Sequence, residues 1–567
     1  MSISAILAPD PIFPPAAGIN DDAFDRVPIA LPVTAVLSSD ALASSATARS
    51  LPISFFSTTH DAVVAPSFAA TDWYFRIHVV PANLALGNVV SNEVFTIGVW
   101  NAWLATTQTL DSINISGGDG ITLGGEPDPP LAFAPNEQKN YTLTVLVEGP
   151  PTIDAVYSFV FADGEAVALV ITGQRITAWA LTPDWSTGVK EKLSFLTDIL
   201  LAWSGREQRR ALRISPRRVF SFSSFMLRQD KRFVENAINA WSAQVWALPI
   251  FPDGQYLSVP ITAGALSVTC DTTERDFVAG GLAIVLTNSA TFEVLQVETV
   301  SSGALGLARA TVNNWGMGSK LYPVRAARML SNPRISRESQ ELATISPEFT
   351  TVEPSDWPAA TGLPVYRGMP VLDDSPDISQ PNAAGYERQA NIIDNATGSI
   401  EVDDTAGIGF PSNSHQWFMK GSAARAAFRS LMYLLKGRQG EIWVPSYDAD
   451  LFVLEDITSS ATNLTCDTSG VSLYAAVQNR QDIRVELISG TVFYRRVTGG
   501  AAGSQPNTEL VSIDTSLGVD VPAATIRRIS WMALSRLDSD DIEINHLTAL
   551  DGIAQATTPF RAVNDNV

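Results

Sequence analysis

The chain has 567 residues but only two cysteines and four histidines, and its first lysine is residue 139. Two cysteines cannot build the disulfide framework of a small secreted scaffold. Cys270 and Cys466 each end a strand-like run, Leu266–Cys270 and Asn463–Cys466, so each is expected as a buried thiol of its own domain. His60, His78, His415 and His546 stand far apart, without the His-x-His or His-Glu-x-x-His spacing of a metal site. No apolar run approaches the roughly 18 residues of a membrane span, and Met1–Asp10 has no basic region, so neither a membrane span nor a signal peptide is expected. Gly-x-Ser-x-Gly, the P-loop pattern and Gly-x-Gly-x-x-Gly are also missing, which leaves the common hydrolase, nucleotide and dinucleotide sites without support. The acidic clusters Asp373–Asp377 and Asp538–Asp541 lack the glycine and terminal glutamate of an EF-hand loop and read as solvated turns. No catalytic residue, cofactor or metal ligand is assigned, and no enzyme is expected.

Apolar residues, by contrast, make up 46% of the chain, and charged residues 17%. That is ample material for cores and unlike a disordered chain. A formal net charge of −21 argues against broad binding to nucleic acid or an anionic membrane, and no sequence-specific nucleic-acid partner is expected. The 13 tryptophans could serve as sugar-stacking platforms, but most sit in apolar alternation and read as core.

Residues 1–50 are rich in Pro, Ala, Ser and Asp and are expected to be an extended arm. From 51 to 178 the pattern alternates, as in Trp73–His78, Val94–Trp100, Tyr141–Val147, Tyr157–Phe161 and Val167–Ile171, with turn residues between the runs. This predicts a β-sandwich. Phe133–Val145, Gly149-Pro-Pro151 and Ile171-Thr-Gly173 resemble segments of immunoglobulin-like domains of the PapD and fibronectin sort.

The remainder contains one block twice. The first copy runs Asp198–Gly205, Phe225-Met226, Phe233, Pro249–Phe251 and Thr269-Cys-Asp-Thr272; the second runs Asn391–Gly398, Phe418-Met419, Phe428, Pro445–Tyr447 and Thr465-Cys-Asp-Thr468. A separation of 193 positions relates Gly205 to Gly398 and Phe225 to Phe418, and one of 196 relates Pro249 to Pro445 and Cys270 to Cys466. Order and spacing that repeat together predict a duplicated domain, 179–353 and 354–567. Each copy is expected to be a β-sandwich or split barrel with one flanking helix, Asp230–Ala243 or Ala423–Leu435, so the whole chain is mainly β.

One charged feature stands out in this acidic protein. Arg206, Arg209, Arg210, Arg213, Arg217 and Arg218 fall within thirteen residues. A helical turn would put the first four on one face, with Ser204 and Glu207 as a capping box. Arginine forks bind carboxylates with fixed geometry, so the six are candidates for an interface with an acidic partner or subunit. At the matching place the second copy has Ser399–Asp404, and an arginine arm of one copy could meet the acidic arm of the next.

Thr197–Phe222 resembles the leading strand, arm and second strand of tail-tip proteins of long-tailed bacteriophages related to distal tail proteins. Trp246–Phe251, Leu321–Arg325 and Ile529–Arg536 are similar to segments of the same family. The resemblance covers about 180–565 and implies a structural virion protein of the tail tip or baseplate, assembled in the host cytoplasm. It further implies a ring joining the end of the tail tube to the hub or fibres. The implied partners are the tail tube protein, the tape measure, hub and fibre proteins, and further copies of the chain. Two tube-like domains per chain favour a trimer with pseudo-sixfold symmetry over a hexamer. The alternatives are a receptor- or carbohydrate-binding adhesin and a cell-wall hydrolase, the latter without an identifiable site.

Overall fold

The computed structural model describes residues 73–564 except 90–91, 147–148, 151, 242–244, 380, 397, 475–479 and 551. The expected arm, 1–50, lies outside the described residues. The chain is mainly β and divides into two compact units, 1–176 and 177–567.

The first unit holds β1 (Ile77–Val80), β2 (Asn83–Val89), β3 (Glu93–Asn101), β4 (Gln108–Ser116), β5 (Ile121–Gly124), β6 (Leu131–Phe133), β7 (Gln138–Val145), β8 (Thr152–Phe161) and β9 (Ala166–Arg175). They form two sheets, ordered β1-β3-β7-β5 and β2-β9-β8-β4-β6. Period-two patterning makes the sheets face each other: in β8, Ile153, Ala155, Tyr157, Phe159 and Phe161 are all buried, with more exposed residues between them. They share one core with Ile97, Val99, Tyr141 and Leu143 of the other sheet. β2 runs parallel to β9, whereas the other pairings are antiparallel. Loops are tied by buried polar groups. The Asn101 amide donates to the carbonyls of Thr106, Phe133 and Ala134. The Arg175 guanidinium donates to those of Leu146, Pro150, Asp119 and Gly120, which satisfies a group that burial would otherwise penalise.

The second unit begins with β10 (Thr177–Ala178), β11 (Val189–Ser194), the hairpin β12 (Thr197–Leu201) and β13 (Glu207–Ala211), β14 (Arg217–Phe222), β15 (Ser224–Leu227) and α1 (Gln229–Trp241). It continues through β16 (Trp246–Pro249), β17 (Gln255–Tyr256), β18 (Ser267–Thr269), β19 (Leu282–Asn288), β20 (Thr291–Ser301), β21 (Ala304–Leu307) and β22 (Lys320–Met329). β23 (Arg334–Arg337), β24 (Leu342–Ser346) and β25 (Glu348–Thr351) close this half. After β26 (Val365–Tyr366) and β27 (Met369–Pro370) come β28 (Ala384–Ile393), β29 (Glu401–Lys420), α2 (Gly421–Leu435), β30 (Ile442–Pro445), β31 (Asn463–Asp467) and α3 (Val471–Tyr474). The last strands are β32 (Asp482–Leu487), β33 (Val492–Ala502), β34 (Thr508–Ile513), β35 (Ile526–Leu537), β36 (Asp541–His546) and β37 (Ile553–Ala562).

Several pairings recur in both halves. Met226 pairs with Ala343 as Met419 pairs with Ala554, and Met329 pairs with Phe349 as Leu537 pairs with Phe560. Ala178 lies parallel to Ala247, and Val371 lies parallel to Trp443. A bulge falls between Val297 and Thr299 in one half and between Val497 and Gly499 in the other. The local cores match too. Val268, Cys270, Val285, Val297, Leu305 and Leu321 fill one, and Leu464, Cys466, Val485, Val497, Val511 and Ile529 fill the other. Both thiols are free and buried, and burial, with Asp271 near one and Glu509 near the other, pushes each up to about 12.

Both flanking helices form where the spacing predicts. In α2, Phe428, Leu431, Met432 and Leu435 are buried, and left-handed Lys436 ends the helix by donating its amide to the Met432 carbonyl. In α1 Val234 is buried, while Phe233 is exposed.

Candidate subunit interface

The arginine-rich segment is not a helical turn. Thr197–Leu201 and Glu207–Ala211 pair antiparallel as a two-stranded arm, with Asp198 opposite Arg210 and Leu200 opposite Gln208. Strand pairing separates what a helix would have grouped, because neighbours point to opposite faces. The Ser204–Glu207 capping box therefore does not form. Glu207 instead accepts from Arg536 Nε at 2.7 Å and Nη2 at 2.9 Å, and from Arg561 Nη1 at 3.1 Å. Gly205 (φ 77°) turns the arm: a Cβ there would stand 2.5 Å from Phe410 Cζ, a clash that no other residue avoids.

The six arginines do not act as one set. Arg209 on the arm bonds Glu441, just before β30, so its carboxylate lies in the later half of the same chain rather than in Ser399–Asp404. Arg213 holds the base of the arm through the carbonyls of Ser194 and Phe195. Arg218 is buried beneath it, and Arg206, Arg210 and Arg217 are exposed. Leu200, Leu201 and Trp203 on the arm are also exposed.

The two halves also join beyond the arm, and two contacts lie on the seam itself. First, β11 pairs antiparallel with β36, from Val189 opposite His546 to Ser194 opposite Asp541. The exposed Lys190–Glu543 (2.9 Å) and Lys192–Asp541 (2.8 Å) bridges fix this register, though each is worth at most about 1 kcal/mol. Second, Asp540 accepts from Thr197 N (2.9 Å), Thr197 Oγ1 (2.8 Å) and Arg438 N (2.9 Å). It belongs to a cluster expected as a solvated turn, but burial against these donors makes it a clamp. Burial alone would raise its carboxyl; the backbone N–H of Arg438 and the Thr197 donors hold it below the usual range.

Beneath the β11–β36 ladder lies a closed charge network. Glu191 accepts from Arg218 Nε at 3.0 Å and Arg429 Nη2 at 2.8 Å, and His546 Nε2 stands 3.0 Å from it. Arg429 Nη1 also bonds Asp253 at 2.7 Å, Arg218 Nη1 bonds Asp276 at 2.5 Å, and Arg325 forks onto Asp276. Glu191, Asp253, Asp276, Arg218, Arg325, Arg429 and His546 are all buried. Three buried carboxylates thus face three buried guanidiniums, and Arg325 Nη1 also reaches the partly exposed Glu353 at 3.5 Å. Burial would raise the Glu191 carboxyl, but Arg429 and Arg218 outweigh it and hold it well below the usual range. Burial pushes the His546 imidazole down against the opposing pull of Glu191.

Apart from Arg218, sequence reasoning did not find these residues. Their partners stand too far along the chain for spacing to link them; Glu191 and His546 are 355 residues apart. A local cue existed for Glu191. It sits between Val189 and Leu193 at an inward position of an alternating strand, where a lone carboxylate requires a cation.

In this arrangement the arginines and carboxylates bind one another. It is suited to locking two sheets together. No group of His, Cys, Asp and Glu that could hold a metal ion occurs among the described residues, and no described helix is long and apolar enough to cross a membrane. Comparison with protein-family models and with curated proteins finds no match to the chain.

Proposed function

We propose that this chain is a structural protein of a bacteriophage tail tip or baseplate, built from an immunoglobulin-like sandwich and two tandem copies of one tube-like domain. In this reading it forms a ring that joins the end of the tail tube to the hub or fibres, with the tape measure among its neighbours. Tube-end proteins must hold shape rather than turn over a substrate, and repeated domains in one chain let a trimer present six similar units.

The observation that carries the reading is the joint inside the second unit. Halves with the same strand pairings meet edge to edge through β11 and β36, and an arm from the first crosses onto the second. Such a joint is heterologous, with different surfaces meeting, and heterologous joints build rings when the rotation closes. The immunoglobulin-like part of the proposal rests on the two facing sheets and the parallel pairing of β2 with β9. The test is immuno-electron microscopy of phage particles from the source host with an antibody to this chain. Label at the tail tip is expected; particles labelled nowhere on the tail would refute the proposal.

One observation favours the adhesin reading for the first unit. Trp73 and Phe75 are partly exposed, with Trp100 6.0 Å from Trp73 and Trp103 5.7 Å from Phe75. Such a cluster can stack on sugar rings. A glycan array probed with the full chain would expose that activity, and Trp100→Ala should then abolish it.

A further inference from the structure

The internal joint has two surfaces, and each has a counterpart left open at the other end of the same unit. The first surface is the outer edge of β11. Its counterpart, 193 positions on, is the start of β28 together with residues 382–383, and among the described pairings β28 is bonded only to β29. The second surface is the outer edge of β36. Its counterpart is β23, because Arg337 pairs with Ala343 as His546 pairs with Ala554, and β23 is bonded only to β24 among the described pairings. Unpaired edges offer rows of N–H and C=O groups to another chain.

We infer that a second copy of this chain docks here by repeating the internal joint in trans, with β28 of one copy pairing antiparallel with β23 of the next. Transfer of the β11–β36 register sets Ala383 opposite Ser336 and Ala384 opposite Ile335 of the second copy, as Lys190 faces Asn545 and Glu191 faces Ile544. This rests on the tandem-copy reading above and adds to it the partner and the contact.

Apolar side chains replace ionic ones at arm and receiving positions alike, and this, with the transferred register, selects a copy of the chain over an unrelated partner. Glu191 bonds Arg429 across the internal joint; at the position matching Glu191 stands Ala384, which places no buried charge on the open edge. On the arms, Glu207 and Arg209 correspond to Ile400 and Val402, which are 57% and 58% exposed. On the receiving side, Asp538 beside Arg536 corresponds to Leu330, which is 73% exposed. At Ile400, Val402 and Leu330 the repeat is apolar where the internal joint is ionic, while Arg536 keeps a cationic counterpart in exposed Arg328. Burying Ile400 and Val402 against the face that carries Leu330 removes apolar surface from water, with Arg328 left at the exposed rim.

The test co-expresses two differently tagged full-length chains, one carrying Ala383→Cys and the other Ser336→Cys, followed by mild oxidation. A disulfide-linked heterodimer is expected, at least about tenfold more abundant than any dimer from either variant alone. Adding Ile400→Asp and Val402→Asp should reduce it by about tenfold or more. Native mass spectrometry of the unmodified chain accompanies both. An oligomer without the 383–336 cross-link would overturn this contact and leave the ring reading standing. A monomer without the cross-link would also overturn it, and tail labelling would then judge the ring reading alone. The cross-link together with unlabelled tails would keep the contact and remove the tail-tip reading.

Discussion

Glu191→Gln is the sharpest probe of how the second unit holds together. The carboxylate is fully buried, accepts from Arg218 and Arg429 and lies beside His546. Removing its charge leaves three buried guanidiniums facing two carboxylates. Loss of one partner from a buried pair costs about 3–5 kcal/mol. Here Arg218 keeps Asp276 and Arg429 keeps Asp253, and the amide keeps one acceptor oxygen, so the lower end, about 3 kcal/mol, is expected. The pH dependence has a definite sign. Because the folded carboxyl is held well below its ordinary value, its stabilisation is fully present above the unfolded value, near 4.5, and is lost as pH falls through the lower folded value. Urea denaturation followed by tryptophan fluorescence should therefore show the variant weaker by about 3 kcal/mol at pH 7, and the gap should narrow below about pH 4. A deficit under about 1 kcal/mol at pH 7, or a gap that widens on acidification, would refute the network as the lock between the halves.

Further outcomes follow from other buried groups. Burial pushes His415, packed 4.4 Å from Trp417, down to about 4, so the unfolded chain takes up its proton first and stability falls as pH drops from about 6.5 toward 4. His415→Phe should reduce the stability lost between pH 7.5 and 5 by about 2 kcal/mol, measured by urea midpoints at both pH values; an unchanged loss would show that the ring is not held neutral. Glu207→Ala strands buried Arg536, leaving it the partly exposed Asp538, and should cost about 3 kcal/mol and speed tryptic cleavage at Arg206 and Arg210. Cleavage at the wild-type rate would mean the arm is not anchored there. Cys270 and Cys466 should react with a thiol reagent only on denaturation, releasing two equivalents; fast labelling of the native chain would contradict their burial.

What was legible in the sequence is what short-range pattern encodes. Alternation in Tyr157–Phe161 marked a strand of the first unit, which runs Thr152–Phe161, and 3.6-residue spacing of Phe428, Leu431, Met432 and Leu435 marked α2. The offset of Phe225 with Phe418 reappears in matched strand pairings, and that of Cys270 with Cys466 in matched local cores. The arm was misread because Arg206, Arg209, Arg210 and Arg213 satisfy helical spacing, while Glu207 and Arg209 also satisfy the period of two that long-range partners selected. Those partners, Glu441, Arg536 and Arg561, come from the other half, so no local rule could weigh them. Asp540 was read as solvated for the same reason: its ligands, Thr197 and Arg438, stand more than 100 residues away.

The central claim, a ring-forming structural protein, is tested most directly by the solution mass of the full-length chain together with negative-stain imaging of the same sample. The account predicts closed annular particles with a mass three times that of the 60.9 kDa chain, showing six similar lobes around the axis. A stable monomer at micromolar concentration that binds cell-surface glycan would contradict it and transfer the function to the adhesin reading.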